Sequence, residues 1–172
     1  MELYLRDNDP TQTMMLTASG EELYKTATAH AGTTSVVRYQ RQASVGLVSV
    51  QVARIEPTLQ GGSNLVLCEN GMKMALRPPG DSEWAFVGPD GRPYKWQLMI
   101  RYPVLMLNDN SLTPIARYRR AKLGIVSRSR RAFLEILPAG VNIVDLVVVT
   151  FVSYAKQYLL PEPSPSGSDS FP

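Results

Sequence analysis

From Gly140 to Leu160 the chain has no proline, no glycine after the first residue, and apolar side chains at fourteen positions, from Val141 and Ile143 to Leu159 and Leu160. Three structures accommodate such a run. A membrane-spanning helix fits the length, but Asn142 and Asp145 fall in its N-terminal half, where an acid costs about 2.5–3.5 kcal/mol on insertion scales. A buried strand pair suits the β-branched run Val147-Val148-Val149-Thr150, yet no turn signal divides the segment. The third structure is a helix, at about 140–159, that is apolar all round because protein surrounds it. About ten fully buried side chains at roughly 1.5–3 kcal/mol each make such a helix the main source of hydrophobic stability. Asp145 then lies in the first turns, where the positive end of the helix dipole favours a carboxylate.

What surrounds the helix is β-structure. Residues 1–138 show little 3.6-residue periodicity and many short period-two runs separated by Gly, Asn, Asp and Pro. The pattern predicts strands at 2–6, 13–17, 22–28, 34–41, 46–55, 64–69, 72–77, 83–87, 94–100, 104–107, 114–120, 123–127 and 132–136. Asn70-Gly71 predicts a type I′ hairpin turn, with Met72, Met74 and Leu76 facing the core and Lys73, Ala75 and Arg77 facing water. Pro89-Asp90-Gly91 predicts a second hairpin, with Trp84, Phe86, Tyr94 and Trp96 as a cross-strand aromatic set that packs the sheet. Exposed beside basic residues, such rings would instead anchor at a membrane interface. Strands followed by one apolar helix predict a mainly β fold: a closed antiparallel barrel of about twelve strands around a central C-terminal helix.

At 172 residues the chain is one domain, 1–160. The end, PEPSPSGSDSFP, 161–172, is expected to be a disordered tail, because its composition buries too little apolar area to offset ordering entropy. Charged residues reach 19%, against about 25% for an average chain. The single cysteine, Cys68, excludes an intramolecular disulfide, and with one histidine, His30, no zinc site of three or four His and Cys ligands can form. No metal and no cofactor is therefore expected. The opening Met1-Glu2-Leu3-Tyr4-Leu5-Arg6-Asp7 lacks the basic and apolar regions of a signal peptide. The expected location is intracellular and cytoplasmic, peripheral to membranes at most.

The run Trp84-Ala85-Phe86-Val87-Gly88-Pro89-Asp90-Gly91-Arg92-Pro93-Tyr94-Lys95-Trp96 resembles the central hairpin of a group of small fungal domains, chiefly basidiomycete, of unknown function. Ile115-Ala116-Arg117-Tyr118 and the segment from Ile143 to Val152 are similar to its later blocks. Gly20-Glu21-Glu22-Leu23-Tyr24-Lys25 and Thr33-Thr34-Ser35-Val36-Val37-Arg38 are similar to its early ones, so the likeness spans roughly residues 2–156. That group resembles in turn the tubby C-terminal, LURP-one and phospholipid scramblase superfamily. The resemblance implies a twelve-stranded barrel around a hydrophobic C-terminal helix. For function it implies phosphoinositide headgroup binding through lysines and arginines, as in tubby-type domains, or the calcium-linked lipid movement of scramblases. No acidic loop here has calcium-binding spacing.

The positive charge is concentrated. Arg117, Arg119, Arg120, Lys122, Arg128, Arg130 and Arg131 fall within fifteen residues that contain no acid. Such a strip recognises phosphate through charge-assisted hydrogen bonds, and near an anionic leaflet each basic residue adds about 1 kcal/mol. Arg38 and Arg41 are candidate contributors. The bland reading is a solvated strip that aids solubility, and a protein partner is the alternative ligand class. Nucleic acid is disfavoured, because Tyr118 is the one interleaved aromatic before Phe133. Ser127 and Ser129, in Ser127-Arg128-Ser129-Arg130-Arg131, are candidate phosphorylation sites whose added negative charge would oppose anion binding.

Catalytic equipment is sparse, and no catalytic residue is assigned. His30 is expected in a surface loop and Cys68 in a strand beside Val66 as a buried, inert thiol. There is no nucleophile elbow, zinc-protease helix, Walker loop or dinucleotide fingerprint. An enzyme with a site at the barrel mouth remains as an alternative. The leading expectation is a non-enzymatic module that binds an anionic phospholipid or another phosphate-bearing ligand.

Overall fold

The computed structural model describes residues 1–42, 44, 46–76, 83–100, 102–122 and 130–160. The first seven strands are β1 (Glu2–Leu5), β2 (Met14–Leu16), β3 (Glu22–Thr28), β4 (Thr34–Gln42), β5 (Gly46–Pro57), β6 (Ser63–Leu67) and β7 (Lys73–Leu76). Five more follow: β8 (Glu83–Val87), β9 (Pro93–Met99), β10 (Tyr102–Leu107), β11 (Pro114–Arg119) and β12 (Phe133–Ile136). The expected strand at 123–127 and the tail at 161–172 lie outside the described residues.

All twelve strands form one antiparallel sheet in the order β7-β6-β5-β4-β3-β2-β1-β12-β11-β10-β9-β8. Neighbours in sequence are neighbours in space, as short turns favour, and β12 returns to pair with β1, Tyr4 opposite Phe133. The strip curls until its two edges, β7 and β8, face each other. Among the described residues no backbone ladder joins them, but Trp84 Nε1 on β8 donates to the Ala75 carbonyl on β7 at 3.2 Å. The barrel is thus nearly closed, with one seam.

The helical segment, Pro138–Leu159, fills it. A 3₁₀ turn (Pro138–Ile143) leads into α1 (Val144–Tyr154), and a π-helical turn (Ala155–Leu159) ends it. By length and composition the segment could cross a membrane, yet every residue from Leu146 to Ala155 is buried in the barrel. Its polar groups are satisfied internally: Thr150 Oγ1 donates to the Leu146 carbonyl (2.7 Å) and accepts from Trp96 Nε1 on β9 (3.1 Å), and Ser153 Oγ donates to the Val149 carbonyl (2.8 Å). Phe151 packs on Tyr118 of β11, and Tyr154 stacks on Trp96. Wrapping on all sides explains the absence of a polar stripe.

The hairpins follow the pattern read from the sequence, with one correction. Trp84 faces Trp96 and Phe86 faces Tyr94 across β8 and β9. All four rings are buried, so they pack the core and do not anchor at an interface. Between β6 and β7 the alternation holds, Met74 and Leu76 in, Lys73 and Ala75 out. The turn, however, is not type I′. Gly71 alone takes a positive φ (+68°), in a longer loop closed by the Leu67 N–H donating to the Met72 carbonyl at 2.9 Å. Asn70 keeps a negative φ while its side chain accepts from the Met72 N–H (2.9 Å), a local bond that removes the need for a second left-handed residue. Because β6 stops at Leu67, Cys68 stands in this turn, exposed. The expected buried thiol is therefore corrected: strand alternation no longer governs position 68.

Candidate functional site

The antiparallel order gives the barrel two ends. The helix enters at the first, the mouth, beside the β4–β5, β6–β7 and β8–β9 connections. It finishes at the second, the base, beside the β3–β4, β5–β6, β9–β10 and β11–β12 connections.

At the mouth, β4 and β5 overhang the wall. Their pairing shifts register at Val36/Val37, and the outer half, Val37 to Gln42 against Gly46 to Gln51, has no β6 beside it. Arg38 stands where this arm leaves the barrel. Its Nη1 donates to Asp145 Oδ2 on α1, Tyr24 Oη of β3 donates to Asp145 Oδ1, and Arg38 Nη2 donates to Gln40 Oε1 at 3.2 Å. One carboxylate thereby fastens the first turn of the helix to two strands. Burial, the hydrogen bond to Asp145 and that carboxylate's charge together hold the Tyr24 phenol far above its ordinary value, with Arg38 opposing. Beneath the arm lies a pocket of ≈ 500 Å³, walled by Val52, Leu67, Leu146 and Val149, with Arg38 and Asp145 on its polar side and Cys68 at its edge. Arg41 is exposed farther out on the arm, near Glu21 and Glu22.

At the base, one sector is tied down and another is bare. Lys156 Nζ donates to the Gly32 carbonyl and, at 3.0 Å, to Thr34 Oγ1. Gln157 Nε2 donates to the Gly61 carbonyl (3.2 Å) and its Oε1 accepts from Ser63 Oγ (3.0 Å). The other sector carries the basic strip. Arg117 sits 3.9 Å from Glu135, its cross-strand partner. Arg119, at the end of β11, covers the Tyr102 ring at 3.8 Å. Arg120 and Lys122 are exposed, Lys122 pairs by backbone with Arg130, and Arg130 lies over the Phe133 ring at 5.3 Å. Among the described residues Arg117 is the one member of this strip with an acidic partner.

Beside the strip the end of β9 and the residue after it expose three apolar side chains in sequence: Leu98 (45%), Met99 (44%) and Ile100 (101%). Met99 faces Tyr102 in the ladder, so the guanidinium of Arg119 sits against the same segment. The strand pattern carries β9 to Ile100; β9 ends at Met99, and Ile100 is fully exposed.

The structure gathers Arg119, Arg120, Lys122 and Arg130 at the base and separates them from Arg38 and Arg41 at the mouth. Ser127, Ser129 and Arg128 lie outside the described residues. His30, exposed in the β3–β4 turn, is at the base and Cys68 is at the mouth, so the two form no dyad. Among the described residues no group of three or more His, Cys, Asp or Glu is arranged to hold a metal ion. Asp145, read from sequence as a dipole-stabilised residue, turned out to be the centre of the mouth cluster. The exposed segment at the end of β9 was also missed, although three consecutive apolar residues before Arg101 break period-two alternation and were the available signal.

Comparison with protein-family models matches residues 8–158 to a family of unknown function (DUF6593). The chain belongs to that family. The matched region runs from the β1–β2 connection to the last turn of the helical segment and so takes in β2 to β12 and α1. Neither the curated proteins nor the solved structures contain a match.

Proposed function

We propose that the protein is a non-enzymatic, intracellular module that docks by its base onto anionic phospholipid surfaces. The observation that carries this reading is the pairing of an exposed apolar segment at the end of β9, Leu98-Met99-Ile100, with basic side chains that lack acidic partners among the described residues, Arg119, Arg120, Lys122 and Arg130. An exposed apolar segment beside positive charge has two independent sources of membrane affinity: burial of apolar area among acyl chains and attraction of basic residues to the leaflet. A strip that served only solubility would need no apolar neighbour, and isolated exposed apolar side chains are ordinary, whereas three in sequence are not. Arg38 and Arg41 take no part in this docking face. The nearly closed barrel around its helix supports the further reading that the family is tubby-like. The helix in this account remains inside the barrel, and the membrane association is peripheral.

Vesicle co-sedimentation tests the reading. Vesicles containing phosphatidylserine should retain the protein and pure phosphatidylcholine vesicles should not, and added salt should release it, because the Debye length falls to about 3 Å at 1 M. Binding indifferent to lipid charge and salt would overturn the proposal and leave the protein-partner alternative. Ser129→Glu should weaken vesicle binding if phosphorylation regulates the strip.

A further inference from the structure

We propose that the mouth pocket is a binding site for a small uncharged amphiphile, with an apolar body against Val52, Leu67, Leu146 and Val149 and an acceptor oxygen at Arg38. Its ≈ 500 Å³ fall within the roughly 300–1,000 Å³ of pockets that hold small organic ligands. The site lies at the opposite end of the barrel from the proposed membrane face and does not depend on it.

Three observations define the ligand. First, Arg38 commits Nη1 to Asp145 and Nη2 to Gln40, while among the described residues no acceptor reaches its buried Nε–H. A buried donor left unsatisfied is costly, and an oxygen entering from the pocket satisfies it after a side-chain adjustment of the kind common on binding. Second, among the described residues the charged ones lining the pocket are Arg38 against Asp145 and Glu69, so the guanidinium is already neutralised and an added carboxylate or phosphate meets net negative charge. That balance selects an ester, ketone or similar uncharged oxygen over an anion. Third, the wall opposite the polar side is built from aliphatic groups on β5, on β6 and on the first turns of α1, which suits an alkyl chain.

The full chain, ¹⁵N-labelled, titrated with methyl octanoate and separately with octanoate, tests the proposal. The ester should shift the Arg38 Nε–H resonance. It should also slow maleimide labelling of Cys68, the chain's one cysteine, at the pocket edge, at least about fivefold. Octanoate should bind at least about tenfold more weakly. Arg38→Lys keeps a positive charge for Asp145 but removes the Nε–H, and should weaken the ester about tenfold, the effect of one hydrogen bond to a charged donor. Val52→Phe, which fills the pocket from its partly buried wall, should abolish the protection of Cys68. An unmoved Arg38 resonance and unchanged Cys68 labelling at millimolar ester would overturn the proposal, as would octanoate binding equal to the ester's. Undiminished ester binding in either variant, each with wild-type far-UV circular dichroism, would overturn it too.

Discussion

The two ends of the barrel handle charge in opposite ways. At the mouth, the charge of Arg38 is met internally, by the carboxylate of the helix beside it. At the base, Arg119 and Arg130 lean on rings, Arg120 and Lys122 are exposed, and none of the four has an acidic partner among the described residues. Each of these side chains carries the same charge, so the presence of an arginine alone says little about where an anion binds. What separates them is whether an acid is delivered to the same place, and the helix delivers Asp145 to one end only.

The comparison breaks first if the helix is not what supports both ends. Val148, at the middle of α1, is fully buried. Val148→Asp should abolish cooperative unfolding, because an unpaired buried charge costs several kcal/mol against a total stability of about 5–15. A soluble mutant with a native urea transition would refute the core-helix reading. Next in size, Arg119→Glu with Arg120→Glu should lower affinity for phosphatidylserine vesicles by at least about 25-fold, at roughly 1 kcal/mol per lost charge, and leave the thermal midpoint near wild type. Ile100→Ser should weaken vesicle binding several-fold while preserving its salt dependence, since it removes the apolar contribution and adds no charge to the attractive strip.

The mouth should behave in the reverse manner. Asp145→Ala strands both Arg38 and Tyr24 and should lower stability by about 1–2 kcal/mol, a modest figure because the Arg38–Asp145 pair is partly exposed, with vesicle binding unchanged. The smallest effect is in pH. The phenols of Tyr24 and Tyr94 are raised by burial first and then by their hydrogen bonds to Asp145 and Asp90, Tyr94 to about 12 from 10.0. A phenol raised on folding stabilises the native state fully below pH 10, and that contribution fades as pH climbs from 10 through the folded value. Urea midpoints should therefore fall above pH 10, less steeply in Tyr24→Phe.

Much of the barrel was legible because its determinants are local. Glu22–Thr28 and Glu83–Val87 match their expected bounds, since period-two alternation and flanking turn residues fix a strand without reference to the rest of the chain. The helix was legible for the same reason: an apolar run without a polar stripe has to be surrounded. The mouth cluster was not legible, because Arg38 and Asp145 lie far apart in sequence and meet only through barrel closure. Cys68 was misread for a smaller reason: β6 ends at Leu67, two residues before its expected end at 69. At the base, Arg117 to Lys122 is a continuous run, so its clustering needed no folding to see, whereas the adjacency of Leu98-Met99-Ile100 depends on the β10–β11 pairing.

The pairing of β1 with β12 also dictates an order of events. The first strand, made before the other eleven, waits for a partner whose residues come after nearly all the others, and the core helix follows that partner. Until then a growing sheet holds its apolar face open, with nothing of its own to fill it. A chain whose first and last strands must meet folds slowly and stays prone to aggregation while it waits. Truncation before α1 should therefore yield an insoluble intermediate in place of a smaller domain.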